Sequence, residues 1–259
     1  MTFHDQKLEK IVGLLELQPY WKSKDLAKKL GISKSTIQKC LQELHDANLA
    51  ERIHGGIRRI NLQVASPIAL DKRIAEDAKA KELIAAAAVK LLPENGYVYL
   101  DAGTTMLPLA QLIADKGGRN LTFITNDVSI ASILAKRDVK HILLGGSLHP
   151  VTQSLSGPLS QSQICIYDFN TCFISANGVS ADGTVTCSLM GEALLKQQAM
   201  KQATNKVLLT ASGKYNDKTP TVIAKLKEFD MWICEKTLPG IKNICRKNKI
   251  KLQAGTKHI

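Results

Sequence analysis

The chain has 259 residues, of which 44% are hydrophobic, and its formal net charge is +12 at pH 7. This length suits a small domain followed by a medium-sized one, and the hydrophobic fraction excludes a chain that is disordered throughout. No apolar stretch approaches the roughly 20 residues of a membrane span, and no secretory signal segment opens the chain. We therefore expect a cytoplasmic protein with no membrane partner. The six cysteines lack metal-ligand spacing, so we expect reduced thiols, no metal and no cofactor.

The positive charge is concentrated at the two ends of the chain. Residues 1–64 contain 11 Lys and Arg against 7 Asp and Glu, and residues 240–259 contain 6 basic residues and no acidic one. A basic segment favours a polyanionic partner, because lysine and arginine attract phosphates. For the C-terminal run, a solvated surface is the better explanation.

Residues 1–64 have the pattern of a small DNA-binding domain. Apolar residues recur at helical spacing over 7–18, then in a short helix capped by Ser23, and again in a helix from Ser33 to Leu44. Gly55 and Gly56 next separate two short runs, which predicts a β-hairpin with strands in Leu49–His54 and Ile57–Val64. Three short helices and a hairpin predict a winged helix-turn-helix.

The third helix and the hairpin carry the side chains that we expect to contact double-stranded DNA. Burying Ile37, Leu41 and Leu44 leaves an outer face of hydroxyls, amides and amines, which suit base edges and phosphates. The expected DNA-binding residues are Ser33, Lys34, Ser35, Thr36, Gln38, Lys39, Gln42, Arg52, His54, Arg58 and Arg59. The alternative is an ordinary three-helix module with a polar surface.

The rest of the chain alternates short apolar strands with helices. Residues 65–80 are expected to form a linker and the start of a connecting helix, with the Ala-rich run Ala75–Leu92 helical. Residues 81–259 then form an α/β domain with a mostly parallel sheet and helices on both faces. The expected strands are Tyr97–Leu100, Leu121–Thr125, His141–Leu144, Thr171–Ser175, Lys206–Thr210 and Met231–Cys234. The expected helices are Met106–Ala114, Ser129–Lys136, Leu189–Ala203, Thr221–Leu226 and Pro239–Lys247.

Small polar residues follow several of these strands, where an open α/β sheet binds its ligands. The Asp101–Thr105 loop leaves a strand and enters a helix, and its glycine, hydroxyls and free N–H groups suit a phosphate. Taken alone, a simple capped helix start explains this loop equally well. The expected effector-binding residues are Asp101, Gly103, Thr104, Thr105, Asn126, Gly145, Gly146, Asn177, Gly178 and Lys214.

Several of these residues have a structural alternative. Asn126 alone is better explained as a helix cap, and Gly145 with Gly146 as a plain turn. Lys214 could be solvated. Glu192 and Lys196, four residues apart on an expected helix, fit a surface ion pair at least as well as a pocket role.

The sequence resembles the DeoR family of bacterial repressors. Residues 26–41 (Leu-Ala-Lys-Lys-Leu-Gly-Ile-Ser-Lys-Ser-Thr-Ile-Gln-Lys-Cys-Leu) carry the resemblance, followed by Arg52-Ile53-His54-Gly55-Gly56. It continues through Asp101-Ala102-Gly103-Thr104-Thr105, Thr125-Asn126, Leu144-Gly145-Gly146, Ser175-Ala176-Asn177-Gly178, Glu192-Ala193 and Ala211-Ser212-Gly213-Lys214. The chain departs from the family pattern at Gln38-Lys39-Cys40, where Arg-Arg-Asp is usual, and at Ala211, where the family has Asp.

The resemblance implies a sensor domain similar to ribose-5-phosphate isomerase, a phosphorylated sugar as effector, and release of DNA on effector binding. We accordingly expect a repressor of sugar metabolism that acts as a homo-oligomer, a dimer or a tetramer, on paired half-sites. The competing hypothesis is a sugar-phosphate isomerase with an accessory DNA-binding domain. Its candidate bases are Asp101, Asp168, Asp182 and Glu192, none of which belongs to a paired acid–base motif, so we expect no catalytic residue.

Overall fold

The computed structural model describes residues 7–8, 10–11, 14–15, 18, 20–46, 50–53, 55–58, 67–118 and 120–255. The chain forms two compact units, Met1–Ala69 and Leu70–Ile259. In the described parts of the chain, no helix is long and apolar enough to cross a membrane. All six cysteines are free thiols.

Within its described residues, the N-terminal unit contains helical residues at 7–8, 10–11 and 14–15, two continuous helices and a small antiparallel sheet. The helices are α1 (Ser23–Leu30) and α2 (Lys34–Asp46), and the strands are β1 (Tyr20–Lys22), β2 (Glu51–Ile53) and β3 (Gly56–Arg58) in the order β1-β3-β2. The expected hairpin is confirmed over its described residues, with Gly56 inside the second strand. Sequence reasoning missed β1, which packs so closely that a Cβ on Gly56 would lie 2.3 Å from the Trp21 carbonyl oxygen.

The core of this unit is built as the apolar pattern of α2, the third helix expected from the sequence, predicts. Ile37, Cys40, Leu41 and Leu44 are all buried and pack with residues of the other elements. The Ser33 cap is confirmed, because its Oγ accepts the Thr36 N–H at 3.2 Å. The expected Ser23 cap is wrong by one position: Ser23 is the first residue of α1, and Lys22 precedes the helix. Within the expected helix 7–18, the described residues at 7–8, 10–11 and 14–15 are helical.

Two helices lead into the large sheet of the second unit. They are α3 (Pro67–Ala75) and α4 (Ala78–Ala88), and a short 3₁₀ turn, Val89–Leu91, follows. The expected single helix Ala75–Leu92 is therefore wrong at its start. Asp77 adopts a left-handed backbone conformation with φ of +54°, which breaks the helical path.

The second unit is organised around a seven-stranded sheet in which every pair of neighbours is parallel. Its strands are β4 (Asn95–Leu100), β5 (Asn120–Thr125), β6 (His141–Leu143), β9 (Phe169–Ser175), β12 (Ala203–Leu209), β14 (Met231–Cys234) and β15 (Lys251–Ala254). They are arranged in the order β15-β14-β12-β9-β4-β5-β6. The helices between them are α5 (Met106–Lys116), α6 (Val128–Ala135), α7 (Pro158–Ile164), α8 (Met190–Lys201) and α9 (Pro239–Asn248). All six expected strands of this sheet are confirmed, with ends that shift by up to three residues.

Two smaller antiparallel sheets complete the unit. One joins β7 (Ser147–His149) to β8 (Ser154–Ser156), and the other joins β10 (Gly178–Val179), β11 (Thr184–Cys187) and β13 (Thr221–Lys225). The expected helix Thr221–Leu226 is wrong, because this segment is strand β13. Its consecutive β-branched residues Thr221, Val222 and Ile223 favour a strand.

The order of the parallel strands creates a topological switch point. From β4 the chain runs outward through β5 and β6 on one side, then returns to β9 on the other side and continues to β12. The connections that leave the carboxyl ends of β4 and β9 thus diverge in opposite directions. In doubly wound sheets, ligands bind in the crevice that such divergence opens.

Candidate functional site

The switch point joins two of the segments that the sequence singled out. Asp101 follows β4 and Ser175 ends β9, and both the N–H and the Oγ of Ser175 bind Asp101 Oδ2 at 2.8 Å. The Ser175 Oγ also lies 2.8 Å from the Ala102 carbonyl oxygen. The Asp101–Thr105 loop is therefore fastened to the end of the neighbouring strand.

A buried ion pair lies under this loop. Lys196 of α8 is bonded through Nζ to Asp101 Oδ2, and both side chains are only 2% exposed. Burial alone would lower the pKa of Lys196, but the Asp101 and Glu192 carboxylates outweigh it and raise that pKa. Glu192 instead accepts a hydrogen bond from Ser154 Oγ at 2.8 Å. The surface ion pair considered from the sequence is wrong, since Lys196 is buried and bonded to Asp101.

Gly103 is the residue of the loop that no other amino acid can replace without strain. Its φ is +145°, and a Cβ at this position would lie 2.9 Å from Ser175 Oγ. Its N–H donates to Asp127 Oδ2 at 3.3 Å, which ties the loop to the end of β5. The glycine thus allows the backbone to pass close to β9 and to enter α5.

We expect Gly103→Ala to lower the free energy of unfolding by about 1–3 kcal/mol, because alanine rarely adopts this backbone conformation. Thermal denaturation of the full-length protein measures the change. The matched control is Gly213→Ala, at an exposed glycine with nothing within 4 Å of a Cβ. Equal stability of the two variants would mean that the loop adapts without strain.

Asp127 connects the loop to helix α6. Its Oδ1 accepts the N–H groups of Ser129 and Ile130, which caps the helix, while Oδ2 accepts the Gly103 N–H. Burial raises the pKa of Asp127 to about 6, and these hydrogen bonds oppose the rise. The sequence did not single out Asp127, although an Asp before an apolar helical run is a typical cap.

The raised pKa of Asp127 predicts a pH-dependent stability. The folded protein holds the Asp127 carboxyl proton more tightly than the unfolded chain does. The stability that this proton contributes is therefore fully present below about pH 4 and is lost as the pH rises to about 6. The full loss is about 3 kcal/mol, at roughly 1.4 kcal/mol per pH unit.

Urea unfolding of the wild-type protein and of Asp127→Asn, at several pH values, measures this loss. The asparagine keeps the Oδ1 cap and removes the titration, so the difference between the two proteins should vary between pH 4 and pH 6. Asp71→Asn, at an exposed position, is the control and should give a constant difference. A constant difference for Asp127→Asn as well would contradict the assignment.

Asn126 and the Gly145-Gly146 pair lie in the same region and are bonded internally. Asn126 is 1% exposed, accepts the Tyr99 hydroxyl at 2.9 Å and donates to the Leu155 carbonyl oxygen at 2.9 Å. The Gly145 N–H donates to Gln163 Oε1 at 2.6 Å. A Cβ on Gly146 would lie 2.3 Å from Ser160 Oγ. Asn126 therefore helps to hold the β7–β8 hairpin in place, and Gly145 and Gly146 pack against helix α7.

The loop after β9 brings Asn177 and Gly178 beside the same crevice. Asn177 Oδ1 accepts the Ser188 N–H at 3.1 Å, and a Cβ on Gly178 would lie 2.4 Å from the Asp217 carbonyl oxygen. Lys214, which follows β12, is half-buried. Burial is the largest cause that lowers the pKa of Lys81, and the charge of Lys214 is a smaller one.

A cavity of about 490 Å³ opens beside the Asp101–Thr105 loop. Its lining is mostly apolar, from α3, α4, α5 and Ile133, and its polar residues are Lys81, Glu82, Thr104 and Gln111. Cavities of this size with a few polar groups are typical of small-molecule sites. Nothing in the sequence pattern singles out Lys81, because its role depends on helix packing.

The outer face of α2 presents polar side chains as the sequence predicts. Ser33, Lys34, Ser35 and Lys39 are exposed, and Thr36 is half-buried and bonded to the Ser33 hydroxyl. Arg52 of β2 reaches across to the same face and donates to Oε1 of Gln42 at 2.6 Å and to Oε1 of Gln38. Arg52 therefore orients the two amides that we expect to read base edges.

Three residues of the predicted wing lie at the limit of what the structure describes. His54 and Arg59 are outside the described residues, as is the side chain of Arg58, whose backbone belongs to β3. Their assignment to DNA binding stays a prediction from the sequence.

Two family models match the chain. One is described as the DeoR-like helix-turn-helix domain and matches residues 7–63, and the other as the DeoR C terminal sensor domain and matches residues 76–236. The chain belongs to the DeoR family. The N-terminal unit of this DeoR-family protein is its helix-turn-helix domain, and the protein is a DNA-binding transcriptional regulator.

Named relatives of this DeoR-family regulator match over most of their length. It is 29% identical over 233 residues to the HTH-type transcriptional regulator GlpR of Haloferax volcanii, covering 90% of each chain. It is 27% identical over 227 residues to the lactose phosphotransferase system repressor of Staphylococcus epidermidis, covering 86% of this chain and 89% of the relative.

The chain is also similar to solved structures at low sequence identity. Ribose 5 phosphate isomerase A from Neisseria gonorrhoeae is 16% identical with a TM-score of 0.38, and the match covers 52% of each chain. The beta subunit of eIF2B from Chaetomium thermophilum is 16% identical with a TM-score of 0.48, covering 69% of this chain and 56% of that one.

The residues that depart from the family pattern differ in how deeply they are buried. Cys40, in place of the usual Asp, is fully buried in the core of the N-terminal unit. Gln38 and Lys39 remain on the outer side of α2. Ala211 is 5% exposed and packs in the core of the sensor unit, where an unpaired carboxylate would be costly.

Proposed function

We propose that this DeoR-family regulator represses genes of sugar metabolism and that a phosphorylated sugar bound at the switch point releases it from its operator. The observation that supports the effector site best is the Asp101–Thr105 loop, which stands at the divergence of β4 and β9 and opens helix α5. A helix of this length offers unpaired N–H groups and a partial positive charge at its start, both of which favour a phosphate.

The effector residues that we propose separate into two groups. Thr104, Thr105, Asn177, Lys214 and the backbone at Gly178 would contact the ligand. Asp101, Gly103, Asn126 and Gly145 would position the loops, because their polar groups are engaged within the protein. Gly146 would do so because a Cβ there would clash with Ser160 Oγ. The phosphate is expected at the start of α5, with Lys214 as the cation that reaches it.

For DNA recognition, we propose that α2 lies in the major groove and that the β2–β3 wing follows the backbone. Gln38 and Gln42 would read base edges, while Lys34, Lys39, Arg58 and Arg59 would bind phosphates. The DNA-reading domain spans 1–64, the linker and connecting helix 65–80, and the sensor 81–259. A homo-oligomer, a dimer or a tetramer, would place one such domain on each half-site.

We infer that the protein is not an enzyme from the state of its carboxylates. A general base for sugar isomerisation must reach the substrate with a free carboxylate. Asp101 is bonded to Lys196, and Glu192 is bonded to Ser154. Asp168 precedes β9, at the edge of the sheet opposite the switch point, and Asp182 is exposed in the β10–β11 turn.

The effector site is tested by thermal denaturation of the full-length protein with a panel of sugar monophosphates and inorganic phosphate. A ligand at 100 times its Kd adds about 2.7 kcal/mol of stability and so raises the Tm. Thr105→Val should lose this rise. Thr219→Val, which removes a buried hydroxyl without a hydrogen-bond partner, should keep it. An identical rise in both variants would place the ligand elsewhere.

A further inference from the structure

Lys81 is a buried lysine that joins the end of one helix to the start of the next. It is 6% exposed, and its Nζ donates to the carbonyl oxygens of Arg73 and of Glu76, the latter at 2.6 Å. These carbonyls belong to the end of α3, while Lys81 itself is in the first turns of α4. The ammonium group thus serves as a cap for α3, whose final carbonyls would otherwise lack helical partners.

The backbone that Lys81 spans is in a costly conformation. Asp77 has a φ of +54° and makes no capping hydrogen bond with its side chain. Few non-glycine residues adopt this conformation, although aspartate does so more readily than most. Helix α3 is also the segment through which the chain passes from the N-terminal unit into the sensor unit. We therefore treat the Glu76-Asp77 junction as a hinge that Lys81 holds in one conformation.

The same lysine lines the cavity beside the effector loop. Thr104 and Lys81 share the cavity of about 490 Å³, together with Ile74 of α3. Burial is the largest cause that lowers the Lys81 pKa; among the charges that act on it, Glu76 and Asp77 raise this pKa, and Arg73 and Lys214 lower it to a smaller extent. An anion at the Thr104 end of the cavity would attract the ammonium more strongly than neutral carbonyls do, because a bond between two charged groups is stronger.

We propose that Lys81 couples effector binding to the linker helix α3. In the ligand-free protein its ammonium holds the last carbonyls of α3, and a bound phosphate draws it away and frees the Glu76-Asp77 hinge. The orientation of α3 then changes, and with it the presentation of the DNA-reading domain. This inference rests on the proposed effector site at the Asp101–Thr105 loop and assigns its regulation to one positioning residue.

The first test is hydrogen–deuterium exchange of the full-length wild-type protein. The probes are glucose, fructose, ribose and glycerol monophosphates and inorganic phosphate. A compound that binds should slow exchange in residues 101–106 and speed exchange in residues 74–80. Slower exchange in the loop with an unchanged hinge overturns the coupling and leaves the effector site standing. No change in either segment with any compound overturns both.

The second test compares Lys81→Met with Lys79→Met, an exposed lysine on the same helix. Without ligand, Lys81→Met should show fast exchange in residues 74–80 and weaker binding to DNA from upstream of its own gene. The ratio of DNA affinities without and with ligand, expected at about 5–150 for the wild type, should fall to about one. Lys79→Met should keep the wild-type ratio. A wild-type ratio of DNA affinities in Lys81→Met overturns the proposal. Thr105→Val should weaken ligand binding but keep the wild-type ratio once the ligand is at saturation.

Discussion

Replacing Lys196 with methionine is expected to lower the free energy of unfolding of the sensor unit by about 3–5 kcal/mol. Methionine fills nearly the same volume, so the loss comes from the Asp101 carboxylate, which stays buried without its cation. Urea unfolding measures the effect. In a Trp21→Phe background, the fluorescence of the fully buried Trp232 reports on this unit.

Two controls separate the charge from the side-chain volume. Lys201→Met, at an exposed position of the same helix, should change the stability by less than about 0.5 kcal/mol. The double variant Asp101→Asn with Lys196→Met removes both charges and should recover a large part of the loss, because replacing a whole buried pair is often neutral. Equal losses in the single and the double variant would contradict the role of the ion pair.

Replacing Gln38 with alanine is expected to weaken specific DNA binding by about 1–3 kcal/mol, or about 5–150-fold in Kd. Gln38 is on the outer side of α2, where Arg52 orients its amide. Because the amide would read a base rather than a phosphate, binding to random DNA should hardly change. Fluorescence anisotropy with specific and random duplexes at one fixed salt concentration measures both.

Two further variants define the limits of this prediction. Gln111→Ala, at an exposed glutamine of the sensor unit, should leave both affinities unchanged. Lys39→Ala should weaken binding to specific and random DNA alike and lower the salt dependence by about one counterion. Equal weakening on both duplexes by Gln38→Ala would show that Gln38 contacts the backbone instead of a base.

The sequence predicts the features that depend on local pattern. The buried face of α2, the Ser33 cap and the parallel strands all follow from periodicity and capping chemistry. The loop after β4 was found because glycine and threonine at a strand end suit a phosphate. The misassigned Thr221–Leu226 segment is short, and neither its length nor its apolar content distinguishes a strand from a helix turn.

The sequence does not predict contacts between distant segments. Asp101 and Lys196 are 95 residues apart, so the ion pair that removes Asp101 from the list of exposed ligands is visible only in the fold. Asn126 becomes a docking residue because the β7–β8 hairpin, which sequence reasoning missed, places the Leu155 carbonyl beside it. Lys81 similarly depends on the break between α3 and α4, which the Ala-rich composition conceals.

The most direct test of the account is fluorescence anisotropy of the full-length protein on DNA from upstream of its own gene, with and without the panel of sugar phosphates. We expect salt-sensitive binding that resists random competitor DNA and that one compound weakens by about 5–150-fold. Thr105→Val should need far more of that compound for the same release. Specific binding that no sugar phosphate changes would contradict the effector site, and the absence of specific binding at any salt concentration would contradict the proposed repression.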